Sequence, residues 1–267
     1  MASVPTTRRR GLPKPFVVVC VALGVLVAAW GALFFAAWSV RQSDTVTQAY
    51  AGVDRLRIDG GNGDVDVVAE QRDDVEVVTR MTWGLEKPAA AQSFDDGTLK
   101  LSGGCGFWGA IGPDTCQTRF EVRVPRDLPV DVRGSSGDVS GRGLAADSHL
   151  RTSSGDVAAI DVSGPLRVSA SSGDVTVEGY RGRQVDADAS SGNVTVRVRA
   201  VPDQLTATAS SGDVTVVVPG TVAYYVDAGT SSGDVNVDVD QSRDSRHVVK
   251  ARASSGDVRV ARLDDAR

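Results

Sequence analysis

The stretch Leu166-Arg167-Val168-Ser169-Ala170-Ser171-Ser172-Gly173-Asp174-Val175-Thr176-Val177 decides the fold. Apolar residues fall at 166, 168 and 170, then at 175 and 177. Alternation of period two on each side means two strands, each turning one face to a core. The parity changes across Ser-Ser-Gly-Asp, as it must if a corner re-aims the chain so that both strands face one interior. Gly supplies the positive φ that a sharp corner needs, and Ser and Asp side chains hydrogen-bond nearby backbone.

The unit recurs. Ser-Ser-Gly-Asp-Val begins at Ser135, Ser153, Ser171, Ser210, Ser231 and Ser254, and Ser190-Ser191-Gly192-Asn193-Val194 is a seventh copy. The intervals are 18, 18, 19, 20, 21 and 23 residues. Gly61-Asn62-Gly63-Asp64-Val65 is an isolated copy upstream. The flanks keep the same alternation: Val185, Ala187 and Ala189 before one corner with Val194 and Val196 after it, then Leu205, Ala207 and Ala209 with Val214 and Val216. Length varies only between copies, at Val198–Asp203 and Asp240–Arg246, so one corner is fixed and the other is a variable loop. Coils of 18–23 residues stacked on their neighbours form a β-solenoid. Seven such coils at ~4.8 Å spacing make a rod ~34 Å long. An antiparallel meander of the same strands is the alternative; a corner that recurs every second strand, with neighbours in register, favours coils.

The chain divides into a basic tail (1–15), an apolar run (16–40), a linker (41–52), a β region (53–130), the solenoid repeats (131–262) and a short tail (263–267). Val75–Trp83, Thr98–Ser102 and Arg119–Val124 read as longer strands with hairpin-like connections, predicting a mainly antiparallel sheet that caps the solenoid. Leu85 to Ser93 reads as a loop or short helix. The last coil, Ser254–Val260, has only a thin C-terminal cap, which predicts self-association through that coil.

Phe16–Val40 is 25 residues without a charge. As a helix it would span ~37 Å against a hydrocarbon core of ~30 Å. Arg8, Arg9, Arg10 and Lys14 precede it, which predicts a single-pass cell-membrane anchor with a cytoplasmic N-terminus and residues 41–267 extracytoplasmic. The run is too long for the apolar region of a cleaved signal peptide. With those four cations set aside from the total of −5, residues 41–267 carry −9, which argues against nucleic acid as a partner.

On that placement Cys105 and Cys116 are expected to bridge a short loop. The corner residues are Gly63 and Asp64, Gly137 and Asp138, Gly155 and Asp156, Gly173 and Asp174, Gly192 and Asn193, Gly212 and Asp213, Gly233 and Asp234, and Gly256 and Asp257. They read as structural, because Asn193 can stand in for Asp as a hydrogen-bond acceptor. Weak cation binding and Ser/Asp catalysis are the alternatives. No catalytic residue, metal ligand or cofactor site stands out. The two histidines, His149 and His247, are expected on solvent-facing connections, and of the adjacent Tyr224 and Tyr225 one must point outward. Trp83, Phe107 and Trp108 are the candidates for a partner surface.

The repeated Ser-Ser-Gly-Asp-Val, Val124-Pro125, Trp83-Gly84 and the N-terminal apolar run resemble a bacterial β-strand-repeat family of unknown function, labelled putative adhesins, over roughly residues 50–262. The resemblance implies an extracytoplasmic β-solenoid without catalytic residues. The expectation is a membrane-anchored, non-enzymatic surface-binding module whose partner is an envelope protein or glycan. The alternatives are an accessory or sensor protein in cell-envelope stress signalling and a carbohydrate-active β-helix enzyme. The enzyme reading is weakened by residues 131–267 holding three aromatics, all Tyr.

Overall fold

The computed structural model describes residues 23–31, 42–84, 87–105 and 116–263. The described residues of its main unit, Gln42–Arg267, form an all-β fold. The first strands are β1 (Gln42–Ala51), β2 (Arg55–Gly61), β3 (Val65–Glu70), β4 (Asp74–Trp83), β5 (Ala89–Asp95), β6 (Thr98–Gly104) and β7 (Cys116–Pro125). Next come β8 (Val130–Ser136), β9 (Val139–Arg142), β10 (Ser148–Ser154), β11 (Val157–Ile160), β12 (Leu166–Ser172), β13 (Val175–Tyr180), β14 (Gln184–Ser191) and β15 (Val194–Val198). The last are β16 (Gln204–Ser211), β17 (Val214–Val218), β18 (Tyr225–Ser232), β19 (Val235–Asp238), β20 (Val248–Ser255) and β21 (Val258–Arg262).

Each fixed corner joins a strand of one sheet to a strand of the other. The pairs β2/β3 and β6/β7, then β8/β9 through β20/β21, make nine windings between a 10-stranded and an 11-stranded sheet. Neighbouring windings are parallel and in register, so Val175 lies beside Val194, Val194 beside Val214 and Val214 beside Val258. All four are at most 1% exposed. Each such side chain contributes about 1.5–3 kcal/mol by leaving water. Near the corner the interior narrows to a file of small residues, Gly134, Thr152, Ala170, Ala189, Ala209, Ala253 and Thr230. Where Thr replaces Ala the hydroxyl has an acceptor: Thr152 donates to the Gly137 carbonyl at 3.0 Å and Thr230 to that of Gly256 at 2.9 Å.

The windings do not stack in chain order. At the C-terminal end β20 lies between β16 and β18, and β21 between β17 and β19. The winding Ser254–Val260, expected at an open end, is therefore interior, and the terminal winding is β18/β19. The other end mirrors this, with β2/β3 between β6/β7 and β8/β9.

The expected antiparallel cap over 53–130 is corrected. β2, β3, β6 and β7 continue the parallel ladders, and among the described residues only the β1–β4, β4–β7 and β5–β6 pairings are antiparallel. The reason is in the side chains: Leu56, Ile58, Leu99, Leu101, Phe120 and Val122 alternate inward and extend the same core. The stretch read as a linker carries β1, and part of the stretch read as a loop carries β5.

The single-pass helix over 16–40, and with it the membrane placement of the chain, is also corrected. The described helix covers only residues 23–31, which at ~1.5 Å per residue is ~13 Å, under half of a ~30 Å hydrocarbon core. Among the described residues no helix is long and apolar enough to cross a membrane. The remaining positions of the run lie outside the described residues.

Candidate functional site

The repeated acids form a ladder. The backbone N–H of each corner Asp or Asn donates to the side-chain oxygen of the winding before it in space. The order runs from Asp64 through Asp138, Asp156, Asp174, Asn193, Asp213 and Asp257 to Asp234, with distances of 2.7–3.1 Å. Asn193 occupies its rung with the same geometry as the acids, so the position requires an acceptor and not a charge. At ~4.8 Å in water two such charges repel by only ~1 kcal/mol. The Arg119 guanidinium pairs with Asp64 at the first rung.

Glycine precedes each acid for two reasons. At Gly173 φ is +142°, and an added Cβ would stand 1.9 Å from the carbonyl oxygen of Gly155. Gly155 repeats the arrangement against Gly137 at 2.3 Å. In the first copy the positive φ falls instead on Gly61, at +56°, while at Gly63 a Cβ would stand 1.6 Å from the Thr118 carbonyl oxygen. Gly137, Gly192, Gly212, Gly233 and Gly256 share the conformation of Gly173. Among the described residues no group of three or more His, Cys, Asp or Glu side chains is placed to hold a metal ion.

Cys105 and Cys116 are bridged, with Cα atoms 6.0 Å apart. The bridge closes the connection between β6 and β7, where other windings carry the tight corner. Trp83 stands opposite Cys116 in the register of β4 and β7. The Lys87 ammonium lies 5.0 Å from the centroid of the Trp83 ring and bonds Asp44 at 2.9 Å, which holds the Asp44 carboxyl below the usual carboxylate range. Phe107 and Trp108, the other two aromatic candidates, lie outside the described residues.

Among the described residues neither histidine ring hydrogen-bonds a corner serine. His149 sits 3.4 Å from Asp147. His247 departs from the expected exposure: it is half-buried, with Nδ1 2.9 Å from the Pro202 carbonyl oxygen. A shallow cleft of about 370 Å³ on the outer face of β5, β6, β2 and β8 is lined by Arg57, Asp59, Lys100, Asp131 and Arg133 together with Ser93 and Ser102. Its charges alternate across the strands, since Arg57 stands opposite Asp131 and Asp59 opposite Arg133.

Sequence reading missed the terminal winding. Its inward residues are the counterparts of the core file, yet Val235 is 45% exposed and Val226, Ala228 and Val237 are only partly covered. In the adjoining winding Val258 and Val260 are at most 1% exposed. Among the described residues β18 and β19 each pair on one side only, so both edges present unpaired backbone there. The lengthening intervals, 21 and then 23 residues, were the available signal, because a crossover needs the longer connection.

A model of the family described as Toastrack DUF4097 matches residues 129–265. Among solved structures, one described as a putative adhesin from Bacteroides fragilis is similar at a TM-score of 0.52 and 16% identity, over 82% of this chain and 97% of that one. A putative cell adhesion protein from Clostridium sporogenes gives 0.36 and 14% over 83% and 100%. A putative lipid binding protein from Parabacteroides distasonis gives 0.44 and 13% over 83% and 97%. The comparison with curated proteins returned no match.

Proposed function

The chain belongs to the Toastrack DUF4097 family, and from that premise we propose that it is a non-enzymatic, adhesin-like binding module: a stiff stack of windings that meets a macromolecular partner by strand addition at its terminal winding. The carrying observation is the contrast between Val235, 45% exposed, and Val258 beside it, 1% exposed. An apolar interior left open beside two unpaired edges is a surface that gains from being covered. The polar side chains that would suggest chemistry are committed elsewhere, since the corner acids hold backbone N–H groups. The similarity to the structure described as an adhesin supports the same reading at the level of fold.

Site-specific photo-crosslinking in cells tests it. A photoreactive residue at Asn236, on the terminal edge, is expected to capture a partner that one at Thr195, on the middle of a sheet face, does not. Equal capture at both positions, or capture only at Thr195, would contradict strand addition.

A further inference from the structure

We infer that the terminal winding takes a basic strand–corner–strand segment laid parallel to it as one further winding. This rests on the strand-addition reading above and names the chemistry of the partner.

The backbone defines the geometry. In interior windings the corner Gly N–H donates to the next winding's Ser carbonyl, and the following Val N–H to the next corner acid's carbonyl. Examples are Gly212 to Ser255 at 2.9 Å, Val214 to Asp257 at 2.8 Å, Gly256 to Ser232 at 2.9 Å and Val258 to Asp234 at 2.9 Å. At the terminal winding the N–H groups of Gly233 and Val235 have no acceptor among the described residues. Among the described residues the Asp234 carboxylate likewise receives no backbone N–H, while its own N–H donates to Asp257. Two donors and one acceptor thus stand in the register that one more corner would satisfy. The inward Val226, Ala228, Val235 and Val237 call for small apolar side chains at alternate positions of the incoming segment.

The charges select its outward positions. Asp227, Asp234 and Asp238 lie along the terminal winding, and Asp234 and Asp238 have no cation within ion-pair distance among the described residues. The chain itself shows what packs on this acidic winding from the inner side. β20 and β21 alternate small apolar residues with outward Lys250, Arg252 and Arg259, and Arg262 ends β21. Arg252 grips Asp227 with contacts of 2.7 and 2.8 Å, and Arg262 reaches Asp240 at 3.5 Å. A second copy docking the same winding edge to edge would set acids against acids, which is destabilising. Charge therefore favours a basic segment over self-pairing.

The test uses the full chain and a labelled synthetic peptide matching residues 247–262, with a second peptide in which Lys250, Arg252, Arg259 and Arg262 are replaced by Glu. The basic peptide is expected to bind, to weaken as salt rises, and to slow amide exchange at Gly233 and Val235. The acidic peptide is expected to bind at least about tenfold more weakly. Val235→Pro, which removes an N–H that has no internal acceptor, is expected to weaken binding by about tenfold as well. Equal binding of the two peptides would overturn the charge selection and leave strand addition standing. Binding without protection of Gly233 and Val235, with the bound peptide displacing β20 and β21, or with a swapped dimer, would overturn the inference. So would no binding at all, while the crosslinking at Asn236 separately decides the reading beneath it.

Discussion

The backbone N–H of Asp156 donates to Oδ1 of Asp138 at 2.9 Å, across 18 residues of chain and one winding of structure. The same bond links each corner to the next, so the fixed corner is where adjacent windings are locked in register. Replacing Asp156 by Asn is expected to leave stability nearly unchanged, as Asn193 fills that role natively. Asp156→Ala, which hands the exposed Asp174 N–H to water, is expected to cost about 0.5–1.5 kcal/mol in urea denaturation.

Gly173→Ala tests the backbone at the same corner. It combines an unfavourable φ with a Cβ 1.9 Å from a neighbouring backbone oxygen. The expected loss is about 2–4 kcal/mol, larger than for Asp156→Ala, because no flexible side chain is available to yield.

Core and loop should respond oppositely to one kind of change. Val214 is fully buried, so Val214→Asp places an unpaired charge in the interior and is expected to unfold the stack. Arg243 is exposed on the connection between β19 and β20, and Arg243→Asp is expected to shift stability by under ~0.5 kcal/mol. Circular dichroism of the two variants during a thermal scan distinguishes them.

Alkaline pH should destabilise the protein through two buried phenols. Burial pushes Tyr180 up to about 12 and Tyr224 up to about 12. Tyr180 bonds the Gln184 carbonyl and lies 3.0 Å from that of Gly164, while Tyr224 donates to the Pro219 carbonyl at 2.9 Å. In the unfolded chain both would ionise near ~10. Above that pH the unfolded state binds fewer protons than the folded one, so stability falls between about pH 10 and 12 and is unaffected by these groups below. A double Phe variant is expected to flatten that decline, at some loss of stability at neutral pH.

Reducing the Cys105–Cys116 bridge releases a loop with a sequence separation of 11 and is expected to cost about 2–3 kcal/mol. The loss should appear as a lower melting temperature in reductant and be absent from a variant with both cysteines replaced by serine, which starts at the lower value.

Much of this architecture is written in alternation. The parity switch between Ala170 and Val175 specifies two strands facing one core, and the recurring Gly-Asp specifies their corner. The order of stacking is not written there. Val214 can pair equally well with Val235 or Val258, because windings with the same inward residues offer one another the same surface. Connection length decides instead, and the chain passes from Asp238 around to Val248 before inserting its last winding. The N-terminal cap was misread for a related reason. Leu56 and Leu99 carry the solenoid pattern, but the β4 and β5 strands inserted between them hide the repeat. The apolar run over 16–40 differs in kind: its composition suits a long helix, and the described residues 23–31 account for nine helical positions of it. The bare edge left by β18 and β19 is a consequence of stacking order, and the lengthened intervals before the last two corners are its one trace in the sequence.

That order is the central claim, and paired cysteines test it most directly. In a background lacking Cys20, Thr215→Cys with Arg259→Cys places two outward positions opposite each other on adjacent strands. Thr215→Cys with Asn236→Cys joins chain-order neighbours that lie two strands apart, at ~9–10 Å. Mild oxidation is predicted to bridge the first pair readily and the second not at all. Efficient bridging of 215 to 236 with none between 215 and 259 would mean that the windings stack in chain order and that the open end proposed here is the wrong one.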